Sequence, residues 1–147
     1  MPVIYVNIGS NLGDRKVLIE RALDKIGETF GYYCKSGFVE SEPWGFESTN
    51  RFLNVGVAFK SALPPEIILD KLQDIEKDIS KISHRDARGN YTDREIDIDI
   101  MAIDMMRYES ERLKVPHPHL MERDFFLIPL RELAPEWEML EKETKKY

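Results

Sequence analysis

Apolar and polar positions divide the chain into alternating strand and helix patterns. Val3 to Ile8 is an apolar run closing into Gly9-Ser10-Asn11, the pattern of a buried strand ending in a turn. Asp14 is placed to cap a helix reaching about Phe30, with Leu18, Ala22 and Ile26 at four-residue spacing and Gly31 to stop it. Tyr32 to Glu40 reads as a second strand, more polar and half-exposed, and Ser41 to Asn50 (SEPWGFESTN) as a loop. Phe52 to Lys60 gives a third strand. Pro64 and Pro65 then open a helix whose Ile68, Leu72, Ile75 and Ile79 form one apolar stripe. From Lys81 to Asp93 the periodicity vanishes. Arg94 to Asp104, REIDIDIMAID, restores a strand: Ile96, Ile98 and Ile100 alternate on one face, with Glu95, Asp97, Asp99, Met101 and Ile103 opposite. A short helix is expected around Glu122 to Leu133, and the polar end EKETKKY is expected to fray.

The order βαββαβ is that of a ferredoxin-like α+β fold, with helices covering one face of a four-stranded antiparallel sheet. The other face is left for a site or further layers, and C-terminal additions follow the core. No repeat, low-complexity tract or linker interrupts the chain, so residues 1–147 are expected to form one domain, large enough to bury about two-thirds of the unfolded surface. A net charge of -6 disfavours nucleic-acid binding through the overall field, though not a local basic patch. The single Cys34 excludes an internal disulfide and fits a reducing compartment. MPVIYVNIGSN lacks a basic leader with a long apolar run, and no window approaches 18 apolar residues, so a cytoplasmic protein without a membrane span is expected.

The acidic strand carries the chemistry. Carboxylates at i and i+2 share a face with Cβ atoms about 6–7 Å apart, and at an effective dielectric near 20 they repel by about 2–3 kcal/mol. On spacing alone, Asp97 and Asp99 are more often a solvated face than a metal pair. The flanking Ile residues suggest a central strand, where a cation would relieve the repulsion, and oxygen ligands without Cys or His favour Mg²⁺ over zinc. Upstream, Lys81, Arg85, Arg88 and Arg94 against Asp86 and Asp93 leave a local charge of +2, which beside the acid pair suggests a phosphate clamp. No Gly-x-x-x-x-Gly-Lys-Ser/Thr sequence is present, which excludes a P-loop. Gln73 and Glu76 lie three apart beside the apolar stripe of the second helix. His117-Pro118-His119 is a weak zinc candidate, because the intervening Pro need not let the two rings converge. An RNA-binding sheet of this topology would carry basic and aromatic residues where Glu95, Asp97 and Asp99 stand.

Taken together, YVNIGSNLGDR, SEPWG, FLNVGVAF, REIDIDIMAID and VPHPHLMERDFFLIPLRELAP resemble the hydroxymethyl-dihydropterin pyrophosphokinase family over nearly the whole chain. That family's signature is Arg, two residues, then Asp-Leu-Asp-Ile; here Arg94 precedes Asp97-Ile98-Asp99-Ile100. The resemblance implies a ferredoxin-like fold and transfer of pyrophosphate from ATP to the hydroxymethyl group of the dihydropterin, giving AMP, in folate biosynthesis. It implies two Mg²⁺ ions on Asp97 and Asp99, with Lys81 and Arg94 joining them as catalytic residues. Arg94 and His117 would contact phosphates, with Arg123 also on the ATP side. Gln73, Glu76, Lys81, Tyr91 and Lys114 would lie by the nucleotide, with Ile100 and Arg112 near its base and ribose. The pterin would sit among Ser41, Pro43, Trp44, Phe52, Asn54 and Phe125. ATP and the pterin are then the implied partners, with neither nucleic acid nor membrane expected; a monomer is expected, with an oligomer left open.

The chain also departs from the family pattern. Asn90-Tyr91-Thr92-Asp93-Arg94 stands where Arg-Trp-Gly-Pro-Arg is common, bringing an acid beside Arg94 and Tyr91 to the Trp position. Lys81 offers a point charge rather than a fork, and Ser83 replaces a second Arg. The Lys81 to Asp93 segment is a few residues longer than usual, so neither Arg85 nor Arg88 is assigned to a phosphate. This segment is expected to be a mobile loop closing over the nucleotide.

Overall fold

The computed structural model describes residues 1–43, 48, 50–80 and 93–136. The expectations for the loop at 81–92, for Trp44, Lys81 and Tyr91, and for the frayed end lie outside the described residues.

Strand β1 (Val3–Ser10) runs at the centre of the sheet. Helix α1 (Arg15–Phe30) follows, its N-cap Asp14 accepting from the Val17 N–H. It ends at Gly31, whose φ of 88° lies where side-chain-bearing residues are strained. The expected second strand is split into β2 (Tyr33–Lys35) and β3 (Val39–Ser41), both pairing β4 (Phe52–Lys60) along one edge. Two long-range side-chain bonds accompany the interruption. Ser36 Oγ accepts the Gly56 N–H at 2.8 Å, and the Gly37 N–H turns away to the Glu132 carboxylate at 3.1 Å.

Helix α2 (Pro65–Ile79) leads to β5 (Asp97–Ile103), which pairs the other edge of β1. The order β2/β3–β4–β1–β5 with every neighbouring pair antiparallel is the ferredoxin-like sheet. A hairpin of β6 (Tyr108–Glu109) and β7 (Lys114–Val115), not foreseen from the sequence, precedes α3 (Asp124–Leu133).

Alternation sends Ile4, Val6 and Ile8 of β1 and Val55, Val57 and Phe59 of β4 toward α1 and α2, where they join one core. Tyr5, Met101 and Ala102 meet Phe126, Leu127 and Leu130 of α3 on the opposite face, so the sheet lies between two helical layers. One correction concerns β5. Its register with β1 steps from Tyr5–Ala102 to Val6–Ile100, leaving Met101 as an extra residue. Met101 and Ala102 therefore both enter the α3 core, and Ile103 returns to the α1/α2 core rather than sharing the face of Asp97 and Asp99.

Candidate active site

The α3 face of β1, β4 and β5, the last an end strand rather than the central one expected, carries Tyr5-Asn7-Gly9, Phe52-Asn54-Gly56-Ala58 and Asp97-Asp99-Met101. Its apolar end lies under α3. Its polar end is the floor of a cavity of about 520 Å³. Gly56 makes the close approach of α3 possible, because a Cβ there would stand 2.6 Å from Pro129 Cβ.

Asp97 and Asp99 project into this cavity from β5. Burial pushes the Asp99 carboxyl well above the usual carboxylate range, and the neighbouring charges of Asp97 and Glu76 add to the shift. Glu76 reaches across from α2 and accepts the Ile98 N–H at 2.9 Å. Burial, then Asp97, raises Glu76 to about 8, against the lowering pull of the Ile98 N–H. Three carboxyl groups thus share a poorly solvated pocket, and Arg94, at 3.1 Å from Asp97, supplies a counter-charge. The peptide at Arg94 is itself clamped, since its N–H donates to Asn11 Oδ1 at 2.8 Å and its carbonyl accepts the Asn11 N–H at 3.1 Å. Asp93, the acid that departs from the family pattern, accepts from the Asn11 and Asn50 amides at 2.8 and 3.1 Å. Those two donors offset its charge beside Arg94.

Basic and aromatic side chains border the acidic pair. Arg94 lies over the Phe52 ring at 5.6 Å, and Arg123 over Phe125 at 5.5 Å and Phe126 at 4.9 Å. His117 packs edge-on against Phe126, and burial, then Arg123 and His119, lowers it to about 4. Its Nδ1 accepts the His119 N–H at 3.1 Å, so the neutral ring keeps its proton on Nε2 as a donor. The β6–β7 hairpin carries Arg112, which pairs with Asp70 and donates to Gln73 at 3.4 Å.

Of the residues singled out from the sequence, Phe52, Asn54, Gln73, Glu76, Arg94, Asp97, Asp99, Ile100, Arg112, Lys114, His117, Arg123 and Phe125 all line this one cavity. Ser41 stands behind it as an acceptor for Asn54 Nδ2 at 2.8 Å, and Pro43 is half-buried outside the lining. The structure adds Asn7 and Gly9 from β1, Glu42, and Ser110 and Glu111 of the hairpin. Asn7 had a visible signal, a lone amide inside an apolar strand. The hairpin had none. Among the described residues, no three metal-ligating side chains close into a cage, and no helix is long and apolar enough to cross a membrane. Two oxygen donors on one strand, in a pocket with surplus acid, fit Mg²⁺, which keeps water and phosphate in most of its positions.

Fold and cleft together define a ferredoxin-like α+β protein whose acidic strand and arginines line one pocket of a size for small ligands. The chain belongs to the 7,8-dihydro-6-hydroxymethylpterin-pyrophosphokinase (HPPK) family, whose sequence profile it matches over residues 5–135. It is 42% identical over 137 residues to a 2-amino-4-hydroxy-6-hydroxymethyldihydropteridine pyrophosphokinase of Porphyromonas gingivalis, covering 92% of each chain. To the Aquifex aeolicus protein of that name it is 39% identical, over 92% of this chain and 82% of the other. A solved structure described as HPPK-DHPS in complex with substrates shares the fold at a TM-score of 0.67 and 14% identity. The match covers 92% of this chain but only 42% of that one.

Proposed function

We propose that the chain transfers the pyrophosphoryl group of ATP to the hydroxymethyl oxygen of 6-hydroxymethyl-7,8-dihydropterin, with Mg²⁺, releasing AMP and the pterin diphosphate in folate biosynthesis. One observation carries this beyond family membership. Asp97 and Asp99 lie in a single cavity shared by an amide-and-aromatic group, Asn54, Phe52 and Phe125, and a cationic group, Arg94, Arg112 and Arg123.

The aromatic group would sandwich the flat heterocycle, with Asn54 at its edge. The arginines would grip phosphate oxygens, with Arg94 and Arg123 each stacked near an aromatic ring. His117, neutral near pH 7, would donate from Nε2 without adding charge. In the reaction the hydroxymethyl oxygen bonds to the β-phosphorus, the bridge to the α-phosphate breaks at that phosphorus, and AMP leaves with the bridging oxygen. The hydroxyl proton passes to solvent. Asp97 and Asp99 would hold two Mg²⁺ ions, which when bound neutralise phosphate charge and acidify the hydroxyl.

The test is incubation with ATP, Mg²⁺ and the hydroxymethyl-dihydropterin. AMP and pterin diphosphate should accumulate together. No AMP above a no-enzyme control, from folded protein, rejects the activity. Asp97→Asn or Asp99→Asn should lower kcat by at least about a hundredfold with the far-UV spectrum intact. Full activity in either refutes the metal assignment.

A further inference from the structure

Asn7 lies in the middle of the central strand and is only 3% exposed. Its carboxamide sits in a chain of hydrogen bonds whose direction is forced. The Val39 carbonyl can only accept, so the end of Asn54 that meets it at 3.1 Å is Nδ2, which also reaches Ser41 Oγ at 2.8 Å. Asn54 Oδ1 then faces Asn7, and only a donor can meet it: Asn7 Nδ2, at 3.2 Å. Asn7 Oδ1 is thereby turned away from Asn54, and it has no hydrogen-bond partner among the described residues. A buried carbonyl left without a donor is costly, and native proteins rarely keep one without a use.

The surroundings indicate the use of this amide. Asn7, Asn54 and the Phe52 ring converge on Gly9. A Cβ there would come within 3.0 Å of Asn54 Oδ1, 3.5 Å of the Phe52 ring and 3.9 Å of Asn7 Nδ2. Glycine keeps this part of the cavity floor open, bounded by an aromatic ring and two amides. Such a surface suits the edge of a planar heterocycle carrying N–H groups.

We propose that Asn7 is a further positioning residue for the pterin: its Nδ2, donating to Asn54 Oδ1, fixes the Asn54 amide in the orientation that meets the heterocycle beside Gly9. This rests on the pterin reading above. A purely structural part in the central strand, with no bearing on the pterin, is the competing role.

Calorimetry on the full chain separates the two. The pterin is titrated in the presence of Mg²⁺ and α,β-methylene-ATP, which cannot be cleaved at the reacting bridge, and the Mg²⁺–nucleotide pair is titrated alone. Asn7→Leu should weaken pterin binding at least about tenfold, the loss expected when a buried hydrogen bond is removed, and leave nucleotide binding within twofold. Pterin affinity within twofold of wild type, or a loss confined to the Mg²⁺–nucleotide titration, overturns the proposal. Wild-type protein that binds no pterin overturns the functional reading, and this inference with it.

A second measurement needs no variant protein to bind ligand. In uniformly ¹⁵N,¹³C-labelled wild type, the Asn7 carboxamide signals, assigned by their absence in Asn7→Ala, should shift on adding pterin to the nucleotide complex. Signals that move with Mg²⁺–nucleotide and not again with pterin place Asn7 on the nucleotide side of the cavity, and the proposal fails.

Discussion

Glu76 shows how one side chain joins two elements and carries an electrostatic burden at the same time. Its carboxylate satisfies the Ile98 N–H where no neighbouring strand does, and it faces Asp97 inside the pocket. With its folded-state value raised to about 8 from 4.5, it binds more protons folded than unfolded between those limits. Its contribution to stability is therefore complete below about pH 4.5 and lost as pH rises through about 8. Glu76→Gln keeps an acceptor for Ile98 and removes the titration. In urea unfolding without divalent cations, wild type should lose at least about 1 kcal/mol more than the variant between pH 5 and pH 8, the value of a single pKa unit. Equal losses would show that Glu76 titrates normally. Its place beside the stripe of α2, not opposite it, was the sequence signal for burial, but nothing in the sequence indicated a bond to Ile98. That partner is set by the way α2 crosses β5.

At the level of elements, strands and helices were legible because alternation and the four-residue stripe are local. The breaks were not. Ser36 keeps its N–H on the Gly56 carbonyl but accepts the Gly56 N–H through its side chain, and Met101 bulges out of β5 through its register with β1. Both are long-range events that no local pattern encodes. The bulge answers why a strand bearing carboxylates returns to core residues on both sides: it turns Met101 and Ala102 under α3 while Ile103 rejoins the α1/α2 core. The same face depends on Gly56 for the docking of α3, whose first turn carries Phe125. Gly56→Ala places a methyl 2.6 Å from Pro129 Cβ and 3.1 Å from Leu133 Cδ1. It should cost about 1–3 kcal/mol by overpacking, read as a lower urea midpoint at unchanged m-value. By displacing Phe125, it should also raise KM for the pterin more than KM for ATP. An unchanged midpoint would mean that α3 can shift without loss.

Across the whole molecule, the cavity gathers residues spread from Asn7 to Phe125, and the two titrating neighbourhoods within it oppose each other. Burial and mutual repulsion raise Glu76 and Asp99, which favours the folded state toward low pH. His117, lowered to about 4 from 6.5, contributes stability that is present above about pH 6.5 and lost as pH falls through about 4. A divalent cation held by Asp97 and Asp99, as proposed, would act on the acidic neighbourhood, because it binds carboxylates in competition with protons. Millimolar Mg²⁺ should therefore raise Tm more at pH 8, about where Glu76 loses its proton, than at pH 5, where Glu76 still holds it. Asp99→Asn should flatten that difference, whereas the acid-side loss due to His117 should persist in the variant. A Mg²⁺ increment independent of pH, or one that survives Asp99→Asn undiminished, would move the cation away from the acidic strand.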